Sequence, residues 1–145
     1  MSQMSINNKV LAIFREDENM RAAVKLLETR GYDVLCETSV FHAIATVTES
    51  KVEIIILDVD DLGLKEMEFL DVVKKINPNL FILLSFCNSN REKAIKYIER
   101  GADCYILKPF YISELFAIVH KFSDRISQNR NLMQETSETN KAIDN

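Results

Sequence analysis

Short apolar runs and longer amphipathic stretches take turns along the chain. VLAIF (10–14) has no helical spacing and reads as a buried strand. YDVLCET (32–38), VEIIIL (52–57), LFILLSF (80–86) and ADCYIL (102–107) read the same way. In the third of these the apolar residues do not alternate with polar ones, so both faces of the strand should be covered. The stretches between them carry helical periodicity. Met20, Ala23, Val24 and Leu27 fall at i, i+3, i+4 and i+7, with Asp17 placed to cap the start and Gly31 to end the helix. Residues 39–50 predict a second helix, with Ser39 as cap and Phe41, Ile44 and Ala45 inward. Residues 65–76 predict a third, with Phe69, Val72, Val73 and Ile76 buried and Pro78 stopping it. Residues 89–101 open on a Ser89–Glu92 capping box and close at Gly101. Residues 112–126 form the last predicted helix.

Strand and helix therefore alternate five times, the pattern of βαβ units on a parallel sheet with right-handed crossovers. The expected architecture is an α/β, doubly wound, flavodoxin-like (βα)5 fold. Its five-stranded parallel sheet has order 2-1-3-4-5, with helices on both faces, over residues 8–126. In such sheets the site lies beyond the carboxyl ends of the strands, where strand order reverses. Glu16 and Asp17 follow the first strand, Asp58 ends the third, Ser85 the fourth and Lys108 the fifth. Five polar groups should meet on one edge of an apolar sheet.

Residues 127–145 are polar with few apolar anchors, which predicts disorder or a linker. Against that, Ile112, Leu115, Val119, Phe122 and Ile126 are spaced 3, 4, 3, 4, and Met133 keeps the phase through Asn129. This is a heptad pattern, so the last helix could extend toward a dimer or an output module. The polar Asn129 interrupts the seam and favours simple packing of the helix on the sheet.

The 145 residues suit one domain with a real core. A net charge of −4 lacks the basic excess of a nucleic-acid footprint and disfavours direct nucleic-acid binding. Cys36, Cys87 and Cys104 stand apart, and with two histidines in the chain they argue against zinc and for a reducing compartment. MSQMSINNK has no apolar leader core, and no run approaches the ~20 apolar residues of a membrane span. A cytoplasmic protein without a membrane partner is expected.

An aspartate after a strand is usually a turn residue, and Asp58 alone would carry little. GADCYILKPF (101–110) changes its meaning. Asp58, Ser85 and Lys108-Pro109 at the ends of the third, fourth and fifth strands, with Gly101-Ala102 and Tyr105, resemble the receiver domains of two-component response regulators. The resemblance spans about residues 8–126 and implies a set of roles. Asp58 would accept a phosphoryl group from a histidine kinase or phosphotransfer protein. Mg²⁺ would be held by Glu16, Asp17 and Asp58, with Asp60 giving its backbone carbonyl while its side chain faces solvent. Ser85 and Lys108 would bind the phosphoryl oxygens, Tyr105 would switch rotamer, and the Lys108–Pro109 bond would be cis. The surface of the fourth helix, fifth strand and fifth helix would be remodelled, with a homodimer there as one outcome. The residue types suit this chemistry: a carboxylate can be a phosphoryl nucleophile, and an ammonium can neutralise the charge.

Three features depart from the family's pattern. Paired acids usually follow the first strand, and this chain reads FRED there. Counting back from Gly31 puts Phe14 and Arg15 in those places. Matching the helix start puts Arg15 and Glu16 there, and a further shift gives Glu16 and Asp17. Where Arg15 lands in the pocket, its guanidinium could pair with Asp58 and stand in for the metal. Bulky Phe86 follows Ser85, and DDLGLKE replaces the usual turn after the acceptor. Two rivals follow. One is a pseudo-receiver that docks or dimerises without Mg²⁺-dependent phosphorylation. The other is a haloacid-dehalogenase-like phosphatase using LDVDD, with Asp58 as nucleophile and Asp60 as general acid. The second expects the motif on the first strand and further acids later, and neither is present. A non-enzymatic signalling role is expected.

Overall fold

A computed structural model describes residues 8–144, with side chains described for residues 8–132. The strands are β1 (Lys9–Ile13), β2 (Asp33–Glu37), β3 (Ile54–Asp58), β4 (Phe81–Cys87) and β5 (Cys104–Lys108). They alternate with α1 (Glu18–Thr29), α2 (Val40–Glu49), α3 (Glu68–Ile76), α4 (Arg91–Glu99) and α5 (Ile112–Asp144). The strands form one sheet in the order β2-β1-β3-β4-β5, and every pairing is parallel. This is the expected flavodoxin-like arrangement. β3 lies at the centre, and all five of its residues are buried.

The sheet separates two apolar layers. Leu11, Ile55, Leu57, Ile82 and Leu84 face α2, α3 and α4; Val10, Ala12, Ile54, Ile56 and Leu83 face α1 and α5. This alternation along each strand explains the unbroken apolar runs: successive side chains point to opposite faces, and both faces are covered.

Local signals fix the helix starts. Asp17 caps α1 by accepting the Met20 N–H at 3.0 Å, and Ser39 caps α2 by accepting the Phe41 N–H at 3.1 Å. One helix differs from expectation in phase and another in its edge residues. In α2 the inward residues are Val40, Ala43 and Val47; Phe41 is 80% exposed and Ala45 also faces out. The helix is apolar around much of its circumference, so periodicity leaves the phase open, and the register from the Ser39 cap decides it. In α3, Phe69, Leu70 and Val73 are buried while Val72 and Ile76 lie exposed at its edge. The capping box at Ser89 and Glu92 does not form. A 3₁₀ turn over Asn88–Asn90 displaces the start of α4 to Arg91, with Asn90 as N-cap and no side-chain capping bond.

Gly31 and Gly101 end α1 and α4 with φ of 95° and 117°. A Cβ at Gly101 would meet nothing nearer than Lys74 Cε at 3.8 Å, so the demand there is conformational. Gly101→Ala should lower stability by roughly 1–2 kcal/mol in urea unfolding, through the backbone alone.

α5 does not stop at residue 126 but runs to Asp144. Leu115, Val119, Phe122 and Ile126 pack on the α1 side of the sheet, so this part of the heptad seam is spent on the domain's own core. Asn129 is exposed, and the Met133 side chain lies outside the described residues. Arg130 pairs with Glu53, which also accepts the Asn8 amide at 2.8 Å. The first turn of the extension is thereby tied to the start of β3. No helix among the described residues is long and apolar enough to cross a membrane.

Candidate functional site

The carboxyl ends of β3, β4 and β5 converge. Register pairs Asp58 with Ser85 and Cys87 with Lys108, so neighbouring strands deliver their terminal side chains to one edge. Asp58 is 6% exposed. One of its oxygens, Oδ1, accepts the Asp60 N–H at 3.0 Å, and Oδ2 pairs with Lys108 Nζ. The same ammonium lies 3.0 Å from Asp60 Oδ2 and 3.5 Å from Asp17 Oδ2. Lys108 thus sits at the centre of the carboxylates. Just after it the Lys108–Pro109 bond is cis, Phe110 is buried in the α1–α5 layer, and the Phe110 carbonyl accepts Asn19 Nδ2 at 2.8 Å. The exit of β5 is therefore tied to the first turn of α1, the helix that Asp17 caps.

Burial raises the Asp58 carboxyl above its usual range, opposed by the bond from Lys108 and the Asp60 N–H. Asp60 goes the other way. Burial pushes it up, but the Cys87 N–H, the Asn90 amide and Lys108 outweigh that and hold it at about 2. Lys108 is raised, because its bonds to Asp58 and Asp60 outweigh burial. A carboxyl depressed from 3.8 to about 2 contributes stability above its unfolded pKa and loses it as pH falls through that interval. The stability difference between wild type and Asp60→Asn should be flat near neutral pH and shrink over that acid window, read by denaturant melts.

Asp60 corrects one expectation. Its side chain does not face solvent. It accepts the Cys87 N–H at 2.9 Å and Asn90 Nδ2 at 2.7 Å, while its backbone carbonyl takes Lys93 Nζ at 3.1 Å. Lys93 also reaches the Leu62 carbonyl at 2.6 Å, and Tyr97 Oη donates to the Gly63 carbonyl at 2.7 Å. α4 thus holds the whole turn after β3. Sequence reasoning missed Cys87, Asn90, Lys93 and Tyr97. No one-dimensional signal links residue 93 to residue 60; the link exists because β3 and β4 are neighbours.

Of the residues after β1, Asp17 alone joins the cluster. Arg15 and Glu16 are exposed, and the cation paired with Asp58 is Lys108, not Arg15. Phe14 packs into the α1–α5 layer. Ser85 is fully buried, and its Oγ makes no hydrogen bond to another of the described residues. Tyr105 is half exposed, its ring 5.5 Å from that of Phe86.

A parallel doubly wound sheet with an acidic pocket, a buried hydroxyl and a lysine at its carboxyl edge defines the class of phosphoryl-receiving signalling domains. The chain belongs to the response regulator receiver domain family, whose model matches residues 10–120. It is 31% identical over 133 residues to the transcriptional regulatory protein KdpE of Mycobacterium tuberculosis, covering 90% of this chain and 57% of KdpE. To the nitrogen assimilation regulatory protein NtrX of Azorhizobium caulinodans it is 25% identical over 127 residues, covering 86% of this chain and 28% of NtrX. The chain thus spans about half the length of one curated relative and under a third of the other. Among solved structures, a receiver domain protein of Clostridium thermocellum superimposes with a TM-score of 0.72 at 25% identity, covering 83% of this chain and 98% of that one. NtrX of Brucella abortus shares the fold, with a TM-score of 0.79 at 22% identity over 94% of this chain and 30% of that chain.

Receiver domains are signalling domains rather than enzymes, and they interact with histidine kinases or phosphotransfer proteins. Receiver domains typically bind Mg²⁺ in an acidic pocket. Here the oxygens such an ion would use do not fit one. Those of Asp17, Asp58 and Asp60 already surround the Lys108 ammonium, the Asp60 carbonyl carries Lys93, and Phe14 is committed to the core. Among the described residues no cluster of His, Cys, Asp or Glu is arranged to hold a metal ion.

Proposed function

We propose that Asp58 is the phosphoacceptor of this receiver domain. The observation that carries the reading is the meeting of a buried carboxylate, a buried hydroxyl and an ammonium at one sheet edge. An Asp58 oxygen attacks the phosphorus of a phosphohistidine. A P–O bond forms, the P–N bond breaks, and the imidazole nitrogen leaves with the electron pair. Lys108 neutralises the incoming charge, and the Ser85 hydroxyl donates to a phosphoryl oxygen. The donor is a histidine kinase or phosphotransfer protein, which places the protein in the cytoplasm; its free cysteines suit that compartment. The receiver unit is residues 8–126, and residues 127–144 are a helical extension. The output surface is α4-β5-α5, where Ile95, Tyr105 and Tyr111 are exposed and offer a face to a second copy.

Incubation with acetyl phosphate, followed by intact mass, tests the acceptor role. One added phosphoryl group is expected with Mg²⁺. With EDTA the rate should fall no more than about tenfold, since Lys108 already supplies the neutralising charge. A docking-only reading is favoured by one observation, the replacement of acids by Phe14 and exposed Arg15 after β1. No labelling under either condition would leave that reading standing and remove the first.

A further inference from the structure

Asp60 is the most heavily bonded side chain of the pocket, and the phosphoacceptor chemistry leaves it without a role. Its carboxylate accepts the Cys87 N–H at 2.9 and 3.2 Å and Asn90 Nδ2 at 2.7 Å, and it lies 3.0 Å from Lys108 Nζ. These donors come from the end of β4, the turn before α4 and the end of β5. One internal anion therefore ties together three segments. Lys108 is shared: the same Nζ contacts Asp58 Oδ2. Any oxyanion that lands on Asp58 and pairs with Lys108 competes with Asp60 for that ammonium.

We propose that Asp60 is an intramolecular stand-in for the phosphoryl group. It fills an anion subsite built from Lys108, the Cys87 N–H and the Asn90 amide, and holds the β4–α4 turn closed until a phosphoryl oxyanion displaces it. The proposal rests on Asp58 as acceptor and names how that site is regulated. A phosphoryl group brings about −1.5 to −2 charges beside a carboxylate that remains ionised. Repulsion and the loss of Lys108 drive Asp60 out. Cys87 and Asn90 lose their acceptor, and the turn that starts α4 is released. Asp60 is thus a positioning residue that couples the pocket to α4. Its carbonyl bond to Lys93, which lies on α4, adds a second link on the same path.

Two measurements without any phosphodonor decide it. In Asp60→Ala, amide exchange at Cys87 should accelerate at least about tenfold, because the acceptor is gone. In the isosteric Asp60→Asn, which keeps the shape and an acceptor oxygen, the affinity for inorganic phosphate, followed by NMR shifts of Ser85 and Lys108, should rise at least about tenfold. Unchanged exchange in a folded Asp60→Ala overturns the proposal, and so does unchanged phosphate affinity in Asp60→Asn. Should Asp60→Ala fail to fold, the asparagine variant alone settles the matter. Neither measurement needs a phosphorylated protein, so the answer holds whether or not Asp58 takes a phosphoryl group.

Discussion

Replacing Asp58 with asparagine is expected to abolish phosphoryl labelling by acetyl phosphate while leaving the domain folded. An amide oxygen is not a nucleophile of useful strength, and no other described carboxylate shares Asp58's setting. Asp60 is spent on its own donors, and Asp17 caps α1. Stability should move little, and the sign of its pH dependence can be stated. Burial raises the Asp58 carboxyl, so the folded state binds a proton more readily than the unfolded chain. The ionised group therefore works against folding as pH rises through the carboxylate range. The asparagine variant should gain on wild type as pH climbs from acid to neutral, while Oδ1 still accepts the Asp60 N–H. Intact mass reads the labelling and denaturant melts read the stability. A labelled Asp58→Asn protein would place the acceptor elsewhere.

Removing the lysine is expected to do more damage. Lys108→Ala leaves Asp58, Asp60 and Asp17 facing one another without the ammonium that lies among them. Breaking such a mostly buried pair by deleting one partner costs about 3 kcal/mol, since the remaining charge stays desolvated. The raised pKa of Lys108 means its contribution is present below its ordinary 10.5 for as long as the carboxylates that raise it stay ionised. The loss should therefore be full at neutral pH and ease as acid protonates the carboxylates. Labelling should slow by about 100-fold or more, the usual effect of losing one group that stabilises developing charge. A variant as stable as wild type at neutral pH would show that Lys108 does not neutralise the cluster.

The replacements that set this pocket apart are local, and their effect depends on geometry. FRED after β1 allowed three registers, and the residues themselves could not choose among them. The fold chose by using Asp17 as the α1 cap, which turns its second oxygen toward Lys108 and leaves Arg15 and Glu16 outside. Asp60 was legible as a backbone-carbonyl ligand or a solvent-facing acid, not as a side chain bonded inward. Its partners, Cys87 and Asn90, lie 27 and 30 residues away and become neighbours when β3 and β4 pair. The phase of α2 was open for a related reason: its broad apolar circumference fits several inward faces, and the Ser39 cap with the opposing layer picks one. In α3 the expected Phe69 and Val73 are inward, and only Val72 and Ile76 at the helix edge stay exposed.

By itself the sequence determined the alternation of strand and helix, the parallel sheet, its strand order and the edge where Asp58, Ser85 and Lys108 meet. These follow from short-range periodicity and from the handedness of βαβ crossovers, which admit few alternatives. Only the tertiary structure decided which charge neutralises the pocket, which acid after β1 enters it, and that Asp60 turns inward. Those outcomes depend on distances of a few ångströms between chain segments far apart in sequence. Coulomb and hydrogen-bond energies change steeply over such distances, and residue order does not encode them.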